Sequence, residues 1–536
     1  MKGGCLVKEI QMKNFRSLKD TGSRKLSPIT LLVGENSSGK SSFLRAFPLL
    51  KQSISKRTSG PILWAGDVDD YVDFGSFEET VTNDQSDEII FAFKFQLNDD
   101  GRTSGYRFYD DYGVFEYTSS GADICYEITI TSSEGKDQVS NLSLCVNSTT
   151  VRFDLRKGTI TSDKGLSYKE TNQEPEITLG KHSGKIPFRR YTRMSPSFGF
   201  ELPAIDTALY TVLHSISLDK DEEVEYFIIR RLINEIGLDL TRKDDIEYID
   251  DRTRKKKKYP AAAVKYYNSI VSAIKDDPTG ELREIAKLVA IYDLFPEIDE
   301  YLFSYFKQVH YIAPLRANAE RYYRLRNLAI DEVDYQGKNL PIFINSLTAP
   351  QLKAFHAWTE DHFGFKVKTD KSKGHLSLQI ILSGSDKAIN LSDTGFGYSQ
   401  VLPIITQLWE LSSRKPIRNR RYSDRDQKIP LVIAIEQPEL HLHPAVQAKL
   451  AKAFIASIDN ARKNKCELQL LLETHSPTIV DYFGRAIAKG ILAPEDISVI
   501  LFDKSINDSV TTVRESGYDE EGFLKYWPYG FFDAED

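Results

Sequence analysis

The hydrophobic pattern of the chain contains three short apolar runs, each followed at once by polar residues. The runs occupy residues 29–33, 431–435 and 468–472. Apolar runs of this length, bounded by turn-forming or polar residues, are typical of buried strands. The pattern therefore predicts three buried strands, and we expect the polar residues at their ends to fold into a single site although they lie far apart in the chain.

Other segments alternate or follow helical spacing. Alternation predicts an edge strand at 7–18 and antiparallel strands at 89–95, 126–131 and 142–146, whereas helical spacing at 224–236 and 261–295 predicts a helical insertion. The heptad pattern of a long coiled-coil arm does not persist anywhere. We therefore predict four segments: an N-terminal lobe at 1–95, a β-rich segment at 96–200, a helical insertion at 201–304 and a C-terminal lobe at 305–536.

Composition narrows the class of protein. The chain has 536 residues, too many for one compact core, and its 41% hydrophobic and 27% charged content is typical of a soluble globular protein. Because it shows neither an 18-residue apolar run nor a signal-peptide core, we expect a cytoplasmic protein without a membrane partner. A net charge of −7 means that any nucleic-acid contact needs a local basic patch. The four cysteines form no CxxC pair, so we expect reduced thiols.

The loop after the first run has the composition of a phosphate cradle. Residues 34–42 read GENSSGKSS, and a helical pattern follows. Backbone N–H groups and a helix N-terminus at such a loop face a polyphosphate. We predict that ATP is bound there by Asn36, Ser37, Ser38, Gly39, Lys40, Ser41 and Ser42, with Lys40 at the β- and γ-phosphates and Ser41 on Mg²⁺. A plain Gly/Ser turn is the alternative, which the strand before and the helix after the loop disfavour.

The second run ends in the acidic sequence EQPELHLHP at residues 436–444. A carboxylate at a strand end can hold the Mg²⁺ shell beside a phosphate loop, and a neighbouring acid can orient water. Glu436 is therefore the predicted metal-side residue, together with Ser41. His441 and His443 could instead hold zinc, although an i, i+2 pair is a weak geometry for that metal.

Two more segments complete the pattern. The third run ends in ETHSP at 473–477, where His475 is placed to contact a γ-phosphate. Residues 390–400 read NLSDTGFGYSQ and open a helical pattern, which makes another anion-binding helix start. In isolation that segment could be a capped helix and nothing more. Together with the phosphate loop, the acid-ended strand and the histidine-ended strand, it has the features of an ABC signature helix.

The full set of motifs resembles the SMC-like ABC ATPases related to the overcoming-lysogenization-defect proteins, which are common in bacterial anti-phage systems. The motifs are NFRSL, GENSSGKSS, LSDTGFGYSQ, IEQPELHLHP and LLETHSP, with coverage of about 1–95 and 305–536. Segments 311–316 and 527–533 resemble markers of a stand-alone, Septu-type branch. The resemblance implies an α/β fold: an ABC-type P-loop head with a mixed sheet and flanking helices, an antiparallel β part and a helical insertion.

The resemblance also implies a homodimer or higher oligomer in which two ATP molecules lie between two protomers. Lys40, Ser41, Glu436 and His475 then act on the ATP of their own protomer. The signature residues, which close over the partner's ATP, are Ser392, Gly395, Gly397 and Ser399. Their register stays open, since Ser392 and Gly397 compete for the signature role.

The chain departs from the family pattern at Gln437, where such ATPases often carry a water-activating glutamate. Glutamine can position water but cannot accept its proton. Loss of a general base costs about 10²–10⁴-fold in rate, so we predict slow hydrolysis unless Glu439 or a partner supplies the base.

The resemblance implies that any nuclease is a separate chain, of HNH type. Related proteins carry a metal-binding TOPRIM domain after the histidine motif, whereas the acidic runs here lack strand-ended carboxylates. The alternative is a DNA-repair or DNA-organising ATPase that clamps nucleic acid, using basic residues at 252–258 or 414–421. Arg316, Arg321 and Arg324 suit an internal or interface role better. A transporter ATPase is disfavoured, because nothing in the sequence suggests a membrane partner.

Overall fold

The computed structural model describes residues 6–526 except for 57, 68–69, 83–86, 97–107, 111–112, 116–121, 148, 158, 164–166, 170–246, 251–254, 259–260, 279, 325–329, 331, 373, 415–430 and 505–510. The predicted helix at 224–236, the marker at 527–533 and the arginines 418, 420 and 421 lie outside these residues.

The strands are β1 (Val7–Phe15), β2 (Leu18–Asp20), β3 (Arg24–Lys25), β4 (Ile29–Gly34), β5 (Glu88–Gln96), β6 (Phe108–Asp110), β7 (Gly113–Phe115), β8 (Asp123–Ser133), β9 (Lys136–Val146), β10 (Thr149–Asp154), β11 (Thr159–Ser162), β12 (Ser167–Lys169), β13 (Glu247–Asp250), β14 (Lys255–Lys258), β15 (Val309–Ile312), β16 (Tyr323–Arg324), β17 (Phe365–Ser372), β18 (His375–Leu382), β19 (Ala388–Asn390), β20 (Leu431–Glu436), β21 (Leu468–Glu473), β22 (Ile497–Lys504) and β23 (Thr511–Ser516). The α-helices are α1 (Lys40–Ser55), α2 (Phe77–Thr80), α3 (Ala261–Asp276), α4 (Glu281–Lys307), α5 (Leu340–Ser346), α6 (Ala349–Phe363), α7 (Phe396–Ser412), α8 (Pro444–Lys463) and α9 (Pro477–Ala488).

The chain divides into two compact units. The first comprises residues 1–52, 64–85 and 305–536, and the second comprises 53–63 and 86–304. The four predicted segments stay a prediction. One difference is β5, which the prediction assigned to the N-terminal lobe and which belongs to the second unit.

The first unit is built on one mostly parallel sheet in the order β15-β20-β21-β4-β22-β23. Only the β22–β23 pair is antiparallel among its neighbours. Every residue of β4, β20 and β21 is buried, which explains their unbroken apolar sequences, because helices and loops cover both faces of such a sheet. The parallel register brings the carboxyl ends of these strands to one edge, where Glu436 lies directly opposite Glu473.

Local signals set the start of the helices that follow this edge. The ring of His443 accepts the N–H of Ala445 at 3.2 Å and caps α8, whose first residue is Pro444. Ser476 caps α9 in the same way by accepting the N–H of Ile479 at 3.1 Å. Pro at the first helical position needs no hydrogen-bond acceptor, so both helices begin where the strand-end loops release the chain.

The core of this unit joins the helices to the sheet. Buried side chains of α8 and α9, such as Phe454 and Phe483, belong to one apolar cluster with Ile433 of β20 and Leu31 of β4. A smaller sheet, β16-β18-β17 with β19 paired to β18, leads into a 3-10 turn at Leu391–Asp393 and then into α7.

The second unit contains an antiparallel sheet in the order β12-β11-β10-β9-β8-β5. Glu134 and Gly135, both at positive φ (52° and 71°), form the tight turn between β8 and β9. The predicted helical segment 261–295 forms two helices, α3 and α4, separated at 277–280, where Gly280 has φ 72° and Asp277 caps α4 by accepting the N–H of Leu282 at 2.9 Å.

The predicted fold class is confirmed: a mixed α/β P-loop sheet with flanking helices, an antiparallel β part and a helical insertion. Among the described residues no helix combines the length and the apolarity needed to span a bilayer.

Candidate functional site

The phosphate loop lies between β4 and α1, as predicted. Ser37 (φ 62°) and Gly39 (φ 95°) adopt left-handed backbone conformations. The φ of Gly39 favours glycine, and a Cβ there would lie 2.7 Å from Ser17 Oγ, which would have to shift. Such a turn orients consecutive N–H groups toward an anion.

The other predicted loop residues line the turn. Asn36 and Ser37 are exposed, and Ser42 is partly buried. Ser38 is buried, and its Oγ has no hydrogen-bond partner among the described residues.

Lys40 occupies the inside of the loop. Its side chain is buried, and Nζ donates to the carbonyl oxygens of Gly34 at 2.9 Å and Glu35 at 2.5 Å. Burial lowers the pKa of Lys40, opposed chiefly by the nearby charge of Glu473. The loop therefore holds an amine donor where phosphate oxygens would approach it.

Ser41 links the loop to the end of β21. Its Oγ donates to Glu473 Oε1 at 2.8 Å. Glu473 is buried, and its Oε2 has no partner among the described residues. Burial, followed by the charge of Glu436, raises the pKa of Glu473 to about 7. A buried carboxylate beside a serine hydroxyl, with one oxygen unused, is a donor set that suits Mg²⁺.

Glu436 ends β20 and has different partners. Both of its oxygens accept from Arg45, at 2.6 and 2.7 Å, and Oε1 also accepts the Tyr311 hydroxyl at 2.7 Å. Arg45 follows Ser41 by four residues, so the two side chains share one face of α1 and reach the two strand ends. The predicted metal pair of Ser41 and Glu436 is thus not in direct contact; Ser41 contacts Glu473 instead.

Gln437 is held by its backbone. It has φ 42°, its N–H donates to the Glu473 carbonyl at 2.8 Å, and its carbonyl accepts from Arg316 Nη2 at 2.9 Å. The same Nη2 donates to the Glu436 carbonyl at 3.0 Å. Buried Arg316 has no partner among the described residues for Nε or Nη1, and burial lowers its pKa to about 10. Arg316 therefore maintains the left-handed backbone at Gln437.

Glu439 and His475 are joined across the two strand-end loops. The Glu439 carboxylate accepts the His475 N–H at 2.7 Å and the Thr474 hydroxyl at 2.9 Å, and burial raises its pKa. Burial, with a smaller effect from Lys40, lowers the pKa of the half-buried His475 ring to about 4. The ring is therefore neutral near pH 7.

The predicted signature residues lie at the start of α7. Ser392 N–H and Oγ donate to Asn390 Oδ1 at 3.0 and 2.9 Å. Gly395 precedes α7 with φ 83°, Gly397 lies in its first turn, and Ser399 is buried. This arrangement presents a helix N-terminus, but it does not decide between Ser392 and Gly397.

The remaining candidates predicted from the sequence are histidines and basic residues. His443 caps α8, and no group of three possible metal ligands occurs in the described part of the chain. Arg321 pairs with Asp393 at 2.7 Å, and Arg414 pairs with Glu410 at 2.7 Å. Lys255–Lys258 forms strand β14, opposite β13.

Comparison with protein families decides the class. The description "AAA ATPase domain" matches residues 6–480, most of the chain. The chain belongs to this family. It is an ATPase, and its family is one whose members bind ATP and in general Mg²⁺.

Comparison with curated proteins found no match. Among solved structures, an SMC head bound to the C-terminal winged-helix domain of ScpA is similar at 12% identity and TM-score 0.33, covering 95% of this chain and 97% of that one. The SMC head domain from Thermotoga maritima has 10% identity and TM-score 0.32, covering 95% and 97%. The recombination mediator RecF with ATPγS has 12% identity and TM-score 0.29, covering 96% and 99%.

Sequence reasoning missed three residues that the structure places in this candidate site: Glu473, Arg45 and Arg316. Glu473 carries a signal, because it ends an apolar run just as Glu436 does. Arg45 carries none, since a helical arginine one turn after a P-loop is unremarkable in sequence. Arg316 lay in the marker segment, and its contacts became evident only in the fold.

Proposed function

We propose that this ATPase is a slowly hydrolysing, nucleotide-gated switch of the ABC/SMC type. The observation that supports the proposal best is the contact of Ser41 with Glu473, which joins the phosphate loop to a strand end 432 residues away and beside Glu436. One site thus combines a phosphate loop with two in-register carboxylates, which is the composition that Mg²⁺–ATP chemistry requires.

Residues of this chain suit each part of the nucleotide. The N–H groups of 36–42 would face the phosphates, and Lys40 would exchange its carbonyl partners for phosphate oxygens. Ser41 and Glu473 would hold Mg²⁺, and Glu436 would add negative charge from beside them. When bound, Mg²⁺ neutralises charge that develops on the phosphates.

Slow hydrolysis follows from Gln437. Its backbone is held by Glu473 and Arg316, so the side chain can position water, yet an amide cannot accept the proton. Glu439 is occupied by Thr474 and His475. Neutral His475 can accept or donate one hydrogen bond at the γ-phosphate. The ATP-bound state would consequently persist.

The signature segment supports the dimer part of the proposal. Residues 391–395 are mostly exposed, and Leu315, 72% exposed, lies in the loop next to buried Arg316. An exposed helix N-terminus suits contact with a second protomer, as does the exposed apolar Leu315 side chain. Ser392, Gly395, Gly397 and Ser399 would close over the partner's ATP there.

We further propose that the switch controls a separate effector nuclease, of HNH type, in bacterial anti-phage defence. The resemblance to the overcoming-lysogenization-defect group, and within it to the Septu-type, retron-associated PtuA ATPase, supports this role. A long-lived ATP state also suits a sensor better than a motor. Co-purification from the native host, with and without ATP, tests for a nuclease partner.

The alternative function is a DNA-organising or DNA-repair ATPase. The observation that favours it is β14, a strand of four consecutive lysines. Neutralising residues 254–258 should abolish DNA binding and flatten its salt dependence if the chain clamps DNA. Neutralising Lys449 and Lys452 of α8 is the matched control. Unchanged partner binding in both variants would favour the defence role.

The ATPase site itself is tested by nucleotide titration. We expect Mg²⁺–ATP to bind the wild-type protein and Lys452→Ala equally, and Lys40→Ala at least ~10-fold more weakly. Equal binding by Lys40→Ala would contradict the assignment of the site.

A further inference from the structure

Two cysteines that are 20 positions apart in the sequence face each other in the second unit. Cys125 of β8 lies directly opposite Cys145 of β9 in the antiparallel register. Ile124, Tyr126, Leu144 and Val146 on either side of them are buried. Since side chains alternate between the faces of a sheet, both cysteines point to the opposite face, where each is only partly buried.

The hydrogen-bond pattern determines the spacing of this pair. The N–H of Asn147 donates to the carbonyl of Asp123 at 2.8 Å, two residues beyond Cys145 and Cys125 along their strands. Hydrogen-bonded pairs recur at every second position, and the irregularity of this ladder lies further on, between Thr129 and Ile130. Cys125 and Cys145 therefore form a hydrogen-bonded pair, for which Cα atoms lie about 5.5 Å apart. Disulfides span Cα distances of about 4.4–6.8 Å.

We propose that Cys125 and Cys145 form a thiol–disulfide exchange site whose substrates are small disulfides of the glutathione type. One cysteine thiolate attacks the small disulfide, forms a mixed disulfide and releases one small thiolate. The opposite thiolate then attacks the protein sulfur of the mixed disulfide and releases the second small thiolate. The protein loses two protons and two electrons, and the small disulfide gains the electrons as two thiols.

The crosslink has a definite structural consequence. It ties β8 to β9 at the end of the hairpin remote from the Glu134–Gly135 turn. The ring closed by the bond contains the residues between the two cysteines, so the crosslink restricts the unfolded chain in this region. In a reducing compartment the site rests as a dithiol and closes only under oxidation.

Cys466 provides a contrast within the same chain. Its Sγ donates to the Arg414 carbonyl at 3.1 Å, burial raises its pKa, and it follows α8 rather than facing a paired strand. A raised pKa leaves less of the reactive thiolate, so Cys466 should stay an alkylatable thiol under conditions that close the pair.

The test uses the full-length protein, equilibrated with mixtures of reduced and oxidised glutathione, alkylated and analysed by mass spectrometry. We expect a species lighter by two hydrogens, loss of exactly these two thiols to alkylation and a peptide that crosslinks Cys125 to Cys145. Dithiothreitol should reverse all three. Cys125→Ser and Cys145→Ser should instead retain a glutathione adduct on the remaining cysteine, whereas Cys466→Ser should behave like the wild type.

Stable glutathione adducts on both Cys125 and Cys145 would overturn the proposal. So would alkylation of both cysteines at an excess of oxidised glutathione. Circular dichroism confirms that the serine variants fold. The serine variants should bind ATP as tightly as the wild type, because the cysteine pair does not take part in nucleotide binding. Conversely, failure of the protein to bind ATP would not change the outcome of the glutathione experiment.

Discussion

The ends of β20 and β21 carry the same residue in register, yet their environments differ. Glu436 is saturated by the two Arg45 nitrogens and the Tyr311 hydroxyl. Glu473 has only Ser41, and one of its oxygens has no partner in the described part of the chain. The position of a glutamate at a strand end therefore does not determine which side chains it contacts.

The cause of the difference is the face of α1. Ser41 and Arg45 stand one turn apart, so the helix offers a hydroxyl to one strand end and a cation to the other. Glu473 has a hydroxyl as its direct partner, so burial and then the charge of Glu436 raise its pKa despite the opposing charges of Lys40 and Arg45. A divalent cation at Glu473 would remove that cost, whereas at Glu436 it would have to compete with Arg45.

The largest effect expected from this difference is on catalysis. Glu473→Gln should lower kcat by about 10²–10³-fold, because it removes the carboxylate that we assign to Mg²⁺. Steady-state phosphate release across a Mg²⁺ titration measures it. Glu515→Gln, at an exposed position of β23, is the control. Turnover equal to that of the wild type would place the metal elsewhere.

The next effect concerns Gln437, which directly follows the end of β20. Gln437→Glu should raise kcat by about 10²-fold, since it restores a proton acceptor at a position whose backbone is already held. Single-turnover hydrolysis measures the chemical step. The same substitution in a Lys40→Ala background should gain nothing. An unchanged rate in the wild-type background would mean that Gln437 does not limit hydrolysis.

A smaller effect concerns folding. Glu436→Gln should lower the free energy of unfolding by about 1–3 kcal/mol, because Arg45 loses a charged bidentate partner. The loss is limited, since the Arg45 side chain is 38% exposed. Urea unfolding without nucleotide measures it. Glu473→Gln should lower the free energy of unfolding by less, or even raise it. An equal decrease in both variants would contradict the difference between the environments of Glu436 and Glu473.

The last effect is a pH dependence in metal-free protein. The pKa of Glu473 is raised from 4.5 to about 7 in the folded state. Between these values the folded state binds the proton and the unfolded state does not, so stability is full below pH 4.5 and decreases as pH rises to 7. The slope is at most about 1.4 kcal/mol per pH unit. In Glu473→Gln, urea unfolding should no longer show this decrease in stability between pH 4.5 and 7. A pH dependence equal to that of the wild type would contradict the raised pKa of Glu473.

Much of the site could be predicted from local sequence. The phosphate loop needs glycine and small residues at fixed spacing, and buried strands need unbroken apolar runs, so both leave a pattern in the chain. The order of strands across the sheet was not predicted. It places β21 between β4 and β20, which is why Ser41 meets Glu473 before Glu436.

Residues that act through distant partners left no such pattern. Arg316 is one arginine among several in a segment with basic and aromatic residues, and only the fold shows its side chain on the carbonyls of Glu436 and Gln437. The cysteines were predicted only to be reduced thiols. Strand register, set by the turn at Glu134–Gly135 and shifted by one residue at the irregularity between Thr129 and Ile130, brings Cys125 and Cys145 opposite each other.

The amino-acid order thus suffices to predict the chemistry of each segment: a phosphate loop, acid-ended strands, a histidine loop and a helix start with glycines and small residues. Tertiary structure decides which of these chemical groups share a partner. The physical reason is that backbone conformation and apolar periodicity depend on near neighbours, whereas the partners of Glu436, Glu473 and Cys125 depend on sheet order, register and helix face. Those properties arise only when the whole core packs.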